Sequence, residues 1–241
     1  MIEQGDKVDP ILELAKYYKE GKEGLPKSLE DTVKLYKMAV KRFNSYIAMV
    51  ELAIMYKKGQ GCVKQKIGKC YTLLKKSYEE SKNEKAAYEF AKILRKGYGV
   101  EKDFKKALEI FLEISSTNKK AKIKYAQMLQ NGEGVEKDLN RAYEIYKRES
   151  KNLNLKAKVL LGDIYLKGCE KIERNPKEAF ELFQYASNFD YGKAHYKLGK
   201  MYLEGEEGVV EYDYQKAFDN IYKGFHFFGF VIILIFFVLC D

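Results

Sequence analysis

The 241-residue chain holds two histidines, His195 and His226, and four cysteines, Cys62, Cys70, Cys169 and Cys240. A zinc site or a nucleophile–base pair would be built from these. Zinc sites draw on close ligand pairs such as Cys-x-x-Cys with a second pair at a set distance. No such pair occurs, and neither histidine stands at ligand spacing from a cysteine. His195 is flanked by Lys193, Ala194, Tyr196 and Lys197, with no carboxylate, Ser or Cys spaced to make it a general base. It reads as a structural histidine. Cys62 and Cys70 read as small packed residues. Few, irregular cysteines in a long chain argue against a disulfide framework and fit a reducing compartment.

Other signatures of chemistry are missing too. GxSxG, GxxxxGK[ST] and HExxH do not occur, and the G-x-G pairs fall between two helical patterns, so they read as turns and not phosphate cradles. No catalytic residue, metal, cofactor or small-molecule substrate is expected. Twenty tyrosines would suit base stacking. However, Tyr18, Tyr56, Tyr165 and Tyr202 share one equivalent site in a repeat, which makes them core. The net charge of +9, from 44 basic and 35 acidic residues, is spread as interleaved Lys and Glu. That is the pattern of solvated helix faces, and no nucleic-acid partner is expected.

The elements behind these residues come from internal repetition. FAKILRKGYGVEKDFKKALEIF runs from Phe90 to Phe111, and YAQMLQNGEGVEKDLNRAYEIY from Tyr125 to Tyr146. A small residue recurs at Ala15, Ala53, Ala91, Ala126, Gly162 and Gly199. A glycine follows six positions later, at Gly21, Gly59, Gly97, Gly132, Gly168 and Gly205. A second small position holds Thr32, Cys70, Ala107, Ala142, Ala179 and Ala217. Each part has a physical reason. Ala86, Phe90, Ala91 and Leu94 share one helical face. Gly97 ends that helix with backbone freedom, and Asp103 and Asp138 precede the next apolar run as N-caps. Ala107, Ile110 and Phe111 form the inward face of the second helix.

One such unit cannot bury both faces of its helices, so units must stack. The expected fold is all-α: a right-handed α-solenoid of about six two-helix repeats, near residues 10–47, 48–85, 86–120, 121–156, 157–193 and 194–223. A tail at 1–9 precedes it, and an apolar helix at 224–241 follows. The pattern LA/G-x2-Y/L-x2-G-x-G-V-x-K-D-x3-A, which Ala86–Ala107 and Ala121–Ala142 follow almost throughout, resembles the Sel1-like repeat, a relative of the tetratricopeptide repeat. Three copies depart from it: Gly24-Leu25-Pro26 replaces Gly-Val in the first, Gln65 replaces Asp in the second, and the fifth carries Cys169-Glu170 and Asn175-Pro176.

The resemblance implies a non-catalytic scaffold or adaptor that assembles protein complexes. The family includes a membrane-bound scaffold of the ubiquitin-ligase complex in endoplasmic-reticulum-associated degradation. That member's repeats are lumenal, whereas Met1–Lys7 shows no secretory apolar stretch. Proteins with related repeats have also been linked to β-lactam hydrolysis, which would need a nucleophile or metal set not found here.

In solenoids of this kind the first helix of each unit lines the concave surface. Its polar ridge comprises Glu13, Lys16 and Glu20; Glu51, Ile54 and Lys58; Glu89, Lys92 and Lys96; Lys124, Gln127 and Asn131; Leu160, Asp163 and Lys167; and Lys197, Lys200 and Glu204. Both signs of charge alternate along it. That suits a peptide or protein partner better than a nucleic acid, which favours Lys and Arg throughout.

The stretch FHFFGFVIILIFFVLC, Phe225–Cys240, carries no formal charge if His226 is neutral. Counted from Gly224, its length of about 17 residues is at the short end for a membrane span. With Tyr222 and Lys223 at its edge, it reads as a tail anchor holding cytosolic repeats to an intracellular membrane such as the endoplasmic reticulum. Two other readings stay open: a capping helix on the sixth repeat, and translated non-coding sequence.

Overall fold

The computed structural model describes residues 2–61, 66–169 and 171–226. Among them the chain forms twelve helices: α1 (Ile2–Glu20), α2 (Leu29–Phe43), α3 (Tyr46–Lys58), α4 (Ile67–Ser81), α5 (Glu84–Lys96), α6 (Phe104–Glu113), α7 (Lys119–Asn131), α8 (Leu139–Ser150), α9 (Leu155–Lys167), α10 (Pro176–Ser187), α11 (Gly192–Glu204) and α12 (Tyr214–His226). Each odd helix and the even helix after it make one repeat.

The helices start where side chains cap them. Asp103 accepts from the Lys106 amide at 2.9 Å, and Asp138 from the Arg141 amide at 2.8 Å, as the spacing predicts. Asn175 caps α10 in the same way, ahead of Pro176, whose missing N–H costs nothing at the first helical position. The odd helices have caps of their own, three residues before a buried alanine. Ser45 accepts from Ala48 N, Asn83 from Ala86 N, Asn118 from Ala121 N and Asn154 from Ala157 N, at 2.9–3.3 Å. Such a cap is worth about 1 kcal/mol. These helices therefore begin two residues ahead of the repeat boundaries drawn from the small residues. Gly97 and Gly132 end α5 and α7 at φ of 68° and 71°, in the left-handed region that favours glycine.

By compactness the chain forms two units. The first comprises α1 to α6, α7 as far as Met128, and Gly132–Glu136. Within it α1 packs on α2, α3 on α4 and α5 on α6, while α2 meets α3 and α4 meets α5. Tyr36, Met49, Phe90 and Phe111 are fully buried there, and Ala107 is fully enclosed as expected. Cys70 is buried too, and burial pushes its thiol up to about 11, so it packs as an inert small residue.

The second unit holds Leu129–Asn131 and α8 to α12. Its core joins Val159, Ala179, Phe183, Ala186, Ala194, Leu198, Met201 and Val210. Here the position that is alanine in earlier repeats is glycine, and the helices use the space. A Cβ on Gly162 would stand 2.5 Å from Phe183 Cε1, and one on Gly199 2.5 Å from Ile221 Cγ1. The departures expected in the fifth repeat appear as a turn closed by an isolated antiparallel bridge, Cys169 to Ile172, and the sixth has another, Glu206 to Val210.

The two ends differ from the expected boundaries. Helix α1 begins at Ile2, inside the stretch read as a tail. Helix α12 runs on to His226, across the boundary expected at residue 223. Gly224 is buried against the start of α11, where a Cβ would meet Gly192 O at 2.9 Å. The rest of the apolar run, with Cys240, lies outside the described residues, as do Cys62 and Gln65. Among the described residues no helix is long and apolar enough to cross a membrane.

Candidate partner-binding face

In the first unit two ridge glutamates, on α3 and α5, pair across the repeats with lysines outside the expected ridge. Glu51 on α3 accepts from Lys19 of α1 at 2.7 Å and also from Lys85 of α5. One repeat further, Glu89 on α5 accepts from Lys57 of α3 at 3.3 Å and from Lys92, a turn along its own helix, at 2.6 Å. The rule is regular. A lysine four residues past the small position of one repeat reaches a glutamate two residues before the small position of the next.

Both carboxylates are only 13–14% exposed, so each is a partly desolvated charge that needs its partners. Burial by itself would raise their pKa values. The lysine hydrogen bonds and charges outweigh it and hold both below the usual carboxylate range. Arg95 continues the series by a different route: its guanidinium binds Glu133, with Nη2 to Oε1 at 3.0 Å.

Aromatic rings sit beside these pairs. Lys57 and Lys96 both lie over the Tyr98 ring, at 5.9 and 5.3 Å from its centre, and Lys92 lies over Tyr88 at 5.1 Å. Tyr98 is exposed, as are Lys58 and Lys96. Lys124 and Gln127 on α7 are half-buried. In the second unit Lys197 on α11 bridges to Asp163 on α9 at 2.6 Å. Lys200 pairs with Glu204 along its helix at 3.2 Å, and Lys167 and Asn131 are exposed.

The structure thus pairs Glu89 with Lys92 and Asp163 with Lys197, joins Glu51 to lysines outside the expected ridge, and leaves Lys58, Lys96 and Lys167 on the surface. Sequence reasoning passed over Lys19, Lys57, Lys85 and Tyr98. The recurrence of lysine at Lys19 and Lys57, with glutamate at Glu51 and Glu89, was the available signal.

The residues considered for chemistry are dispersed. His195 is buried between α11 and α12, its Nδ1 3.2 Å from Asn220 Oδ1 and its Nε2 3.8 Å from an Asp190 oxygen. Among the described residues, no three His, Cys, Asp or Glu side chains come together as a metal site.

The profile of the Sel1 repeat matches residues 11–42, 47–82, 84–114, 119–148, 155–188 and 192–223, each one odd–even helix pair. The chain belongs to the Sel1 repeat family. Its fold is similar to that of a Sel1 repeat protein from Oxalobacter formigenes: 22% identity, TM-score 0.79, covering 90% of this chain and 84% of that one. It is also similar to a protective antigen of uropathogenic Escherichia coli with the same repeat fold (20%, TM-score 0.67, 92% of this chain and 46% of that one). A third likeness is a putative Sel1 repeat protein from Klebsiella pneumoniae (22%, TM-score 0.52, 81% and 94%). No curated protein matches the chain in sequence. Sel1 repeats generally mediate protein–protein interaction, and the cross-repeat ion pairs are what this chain builds on the ridge of its odd helices.

Proposed function

We propose that the chain is a non-catalytic adaptor whose first three Sel1 repeats bind a protein or peptide segment rich in acidic side chains. One observation carries this. Each half-buried ridge carboxylate is shared between two lysines, so the pairs leave surplus positive charge. That charge adjoins an exposed aromatic ring, Tyr98, and the exposed Lys58 and Lys96. Fixed cations beside a ring suit carboxylates carried on a chain with some apolar contact, and charge of this kind sets specificity and approach rate more than raw affinity. The ion pairs hold the lysine stems in place and so reduce the ordering cost of binding.

Fluorescence anisotropy with labelled Asp/Glu-rich peptides containing one aromatic residue tests this. Tenfold or tighter binding than to charge-reversed peptides is expected, abolished by Lys58→Glu with Lys96→Glu. Equal binding of both peptide sets, or none lost in the double variant, refutes it.

The apolar residues after α12 add a second element to the reading. They hold the repeats to an intracellular membrane such as the endoplasmic reticulum.

A further inference from the structure

Neighbouring repeats are joined by one recurring contact. At three junctions the residue just after the small position of the even helix packs on the odd helix of the next repeat. Tyr71 of α4 meets Phe90 of α5, with ring centres 5.6 Å apart. Tyr143 of α8 meets Tyr165 of α9 at 5.8 Å, and Phe180 of α10 meets Tyr202 of α11 at 6.0 Å, both edge to face. From Val33 through Phe180 this position is buried or half-buried in all five earlier repeats. In the sixth it is Phe218, 54% exposed. Tyr214 and Tyr222, one turn to either side, are 67% and 46% exposed, and Phe218 stacks on Tyr222. Helix α12 therefore displays an aromatic stripe at i, i+4, i+8 spacing.

The other end carries the complementary half. Phe90 is the residue just before the small position of its odd helix, and its counterparts Leu52, Tyr125, Leu161 and Leu198 are, like it, at most 4% exposed. In α1 this residue is Leu14, 37% exposed, one turn from Tyr18, the counterpart of Tyr165 and Tyr202. Charge matches as well. Asp163 and Lys197 pair between the fifth and sixth repeats, and the same two register positions across a sixth-to-first junction hold Lys200 and Glu13, both exposed.

We propose that α1 of a second copy completes α12 of the first, joining copies head to tail through the packing that joins repeats within the chain. The residues that follow α12 are a poorer occupant. A terminal cap needs a polar outer face, and that run is apolar throughout. With the run in a membrane, the α12 stripe stays open to another copy.

The contact is heterologous, so its two halves can be disabled separately. Sedimentation velocity of the full chain, in a mild detergent that keeps the apolar run in solution, should show concentration-dependent association. Phe218→Glu or Leu14→Glu should each weaken it at least tenfold. An equimolar mixture of the two variants should form a one-to-one dimer and nothing larger, because each retains the half that the other lost. The mixture also shows that both variants are folded. Lys200→Glu should weaken association severalfold and recover when mixed with Glu13→Lys. A monomeric full chain, association that neither substitution changes, or a mixture that fails to pair would each overturn the proposal. The first would mean that the chain's own apolar residues cover α12, the second that those residues aggregate on their own.

Discussion

Gly162→Ala sets two effects of known size against each other. Alanine is favoured over glycine inside a helix by about 1 kcal/mol, so propensity alone predicts stabilisation. The new methyl, however, would lie 2.5 Å from Phe183 Cε1 and 2.9 Å from Cζ. Phe183 is fully buried and cannot swing away. Overpacking of this kind costs roughly 1–3 kcal/mol, so the net change should be a loss of about 1 kcal/mol. In a chain of this size that lowers the melting temperature by roughly 2–4 °C.

Phe183→Leu removes the ring atoms in conflict and leaves a cavity, at a cost of roughly 1–3 kcal/mol. The double variant should then lose about 2 kcal/mol less than the sum of the singles. Melts followed by circular dichroism at 222 nm measure all three. Alanine occupies the same register position in four other repeats, as Ala15, Ala53, Ala91 and Ala126, each fully buried. If Gly162→Ala raises the melting temperature, or if the two changes simply add, the fifth repeat is spaced like those four and the close approach of α9 and α10 is wrong.

Gly97→Val and Gly132→Val place a branched side chain at φ near 70° and should each cost a few kcal/mol, with a melt unchanged within about one degree refuting the turn geometry. Ala107→Leu should destabilise by roughly 1–3 kcal/mol while Lys105→Leu, on the exposed side of α6, should not; equal tolerance would reverse the assignment of faces. Glu51 and Glu89 have pKa values lowered in the fold, so the stability they contribute is complete above the unfolded carboxylate value near 4.5 and is lost as pH falls through the folded values. Glu51→Gln with Glu89→Gln should therefore flatten the decline in melting temperature below pH 5, and an unchanged acid profile would show that the pairs add nothing. The full chain should stay in the membrane pellet after carbonate extraction, and Ile233→Arg should release it, since a mid-bilayer charge costs roughly 2.5–3.5 kcal/mol; a chain ending at His226 keeps Gly224 packed and should be soluble with its helical signal intact.

The buried faces were legible because each is a local periodicity. Ala107 and Ala142 are fully enclosed, and Asp103 and Asp138 cap as their spacing implied. The starts of the odd helices were written in the sequence as well, in the Ser or Asn three residues before Ala48, Ala86, Ala121 and Ala157. Alignment on the small residues passed over them, because a cap lies outside the apolar pattern that it begins. At the other end, hydropathy changes at Gly224, yet the helix does not, since Gly224 is there to let α12 approach α11. The ridge was legible as charges and not as pairs. Whether Lys19 meets Glu51 depends on how far one helix slides along its neighbour, and that offset is set by packing between residues more than thirty apart.

Side-chain hydrogen bonds between neighbouring repeats join residues 22 to 38 positions apart. A chain emerging from the ribosome thus needs only one further repeat before the last one can close its contacts, and stability accrues in instalments instead of waiting for the C-terminus. Loss of a single cap such as Asn118 should consequently be felt during synthesis as a pause in compaction at one place, with the repeats already made left folded behind it.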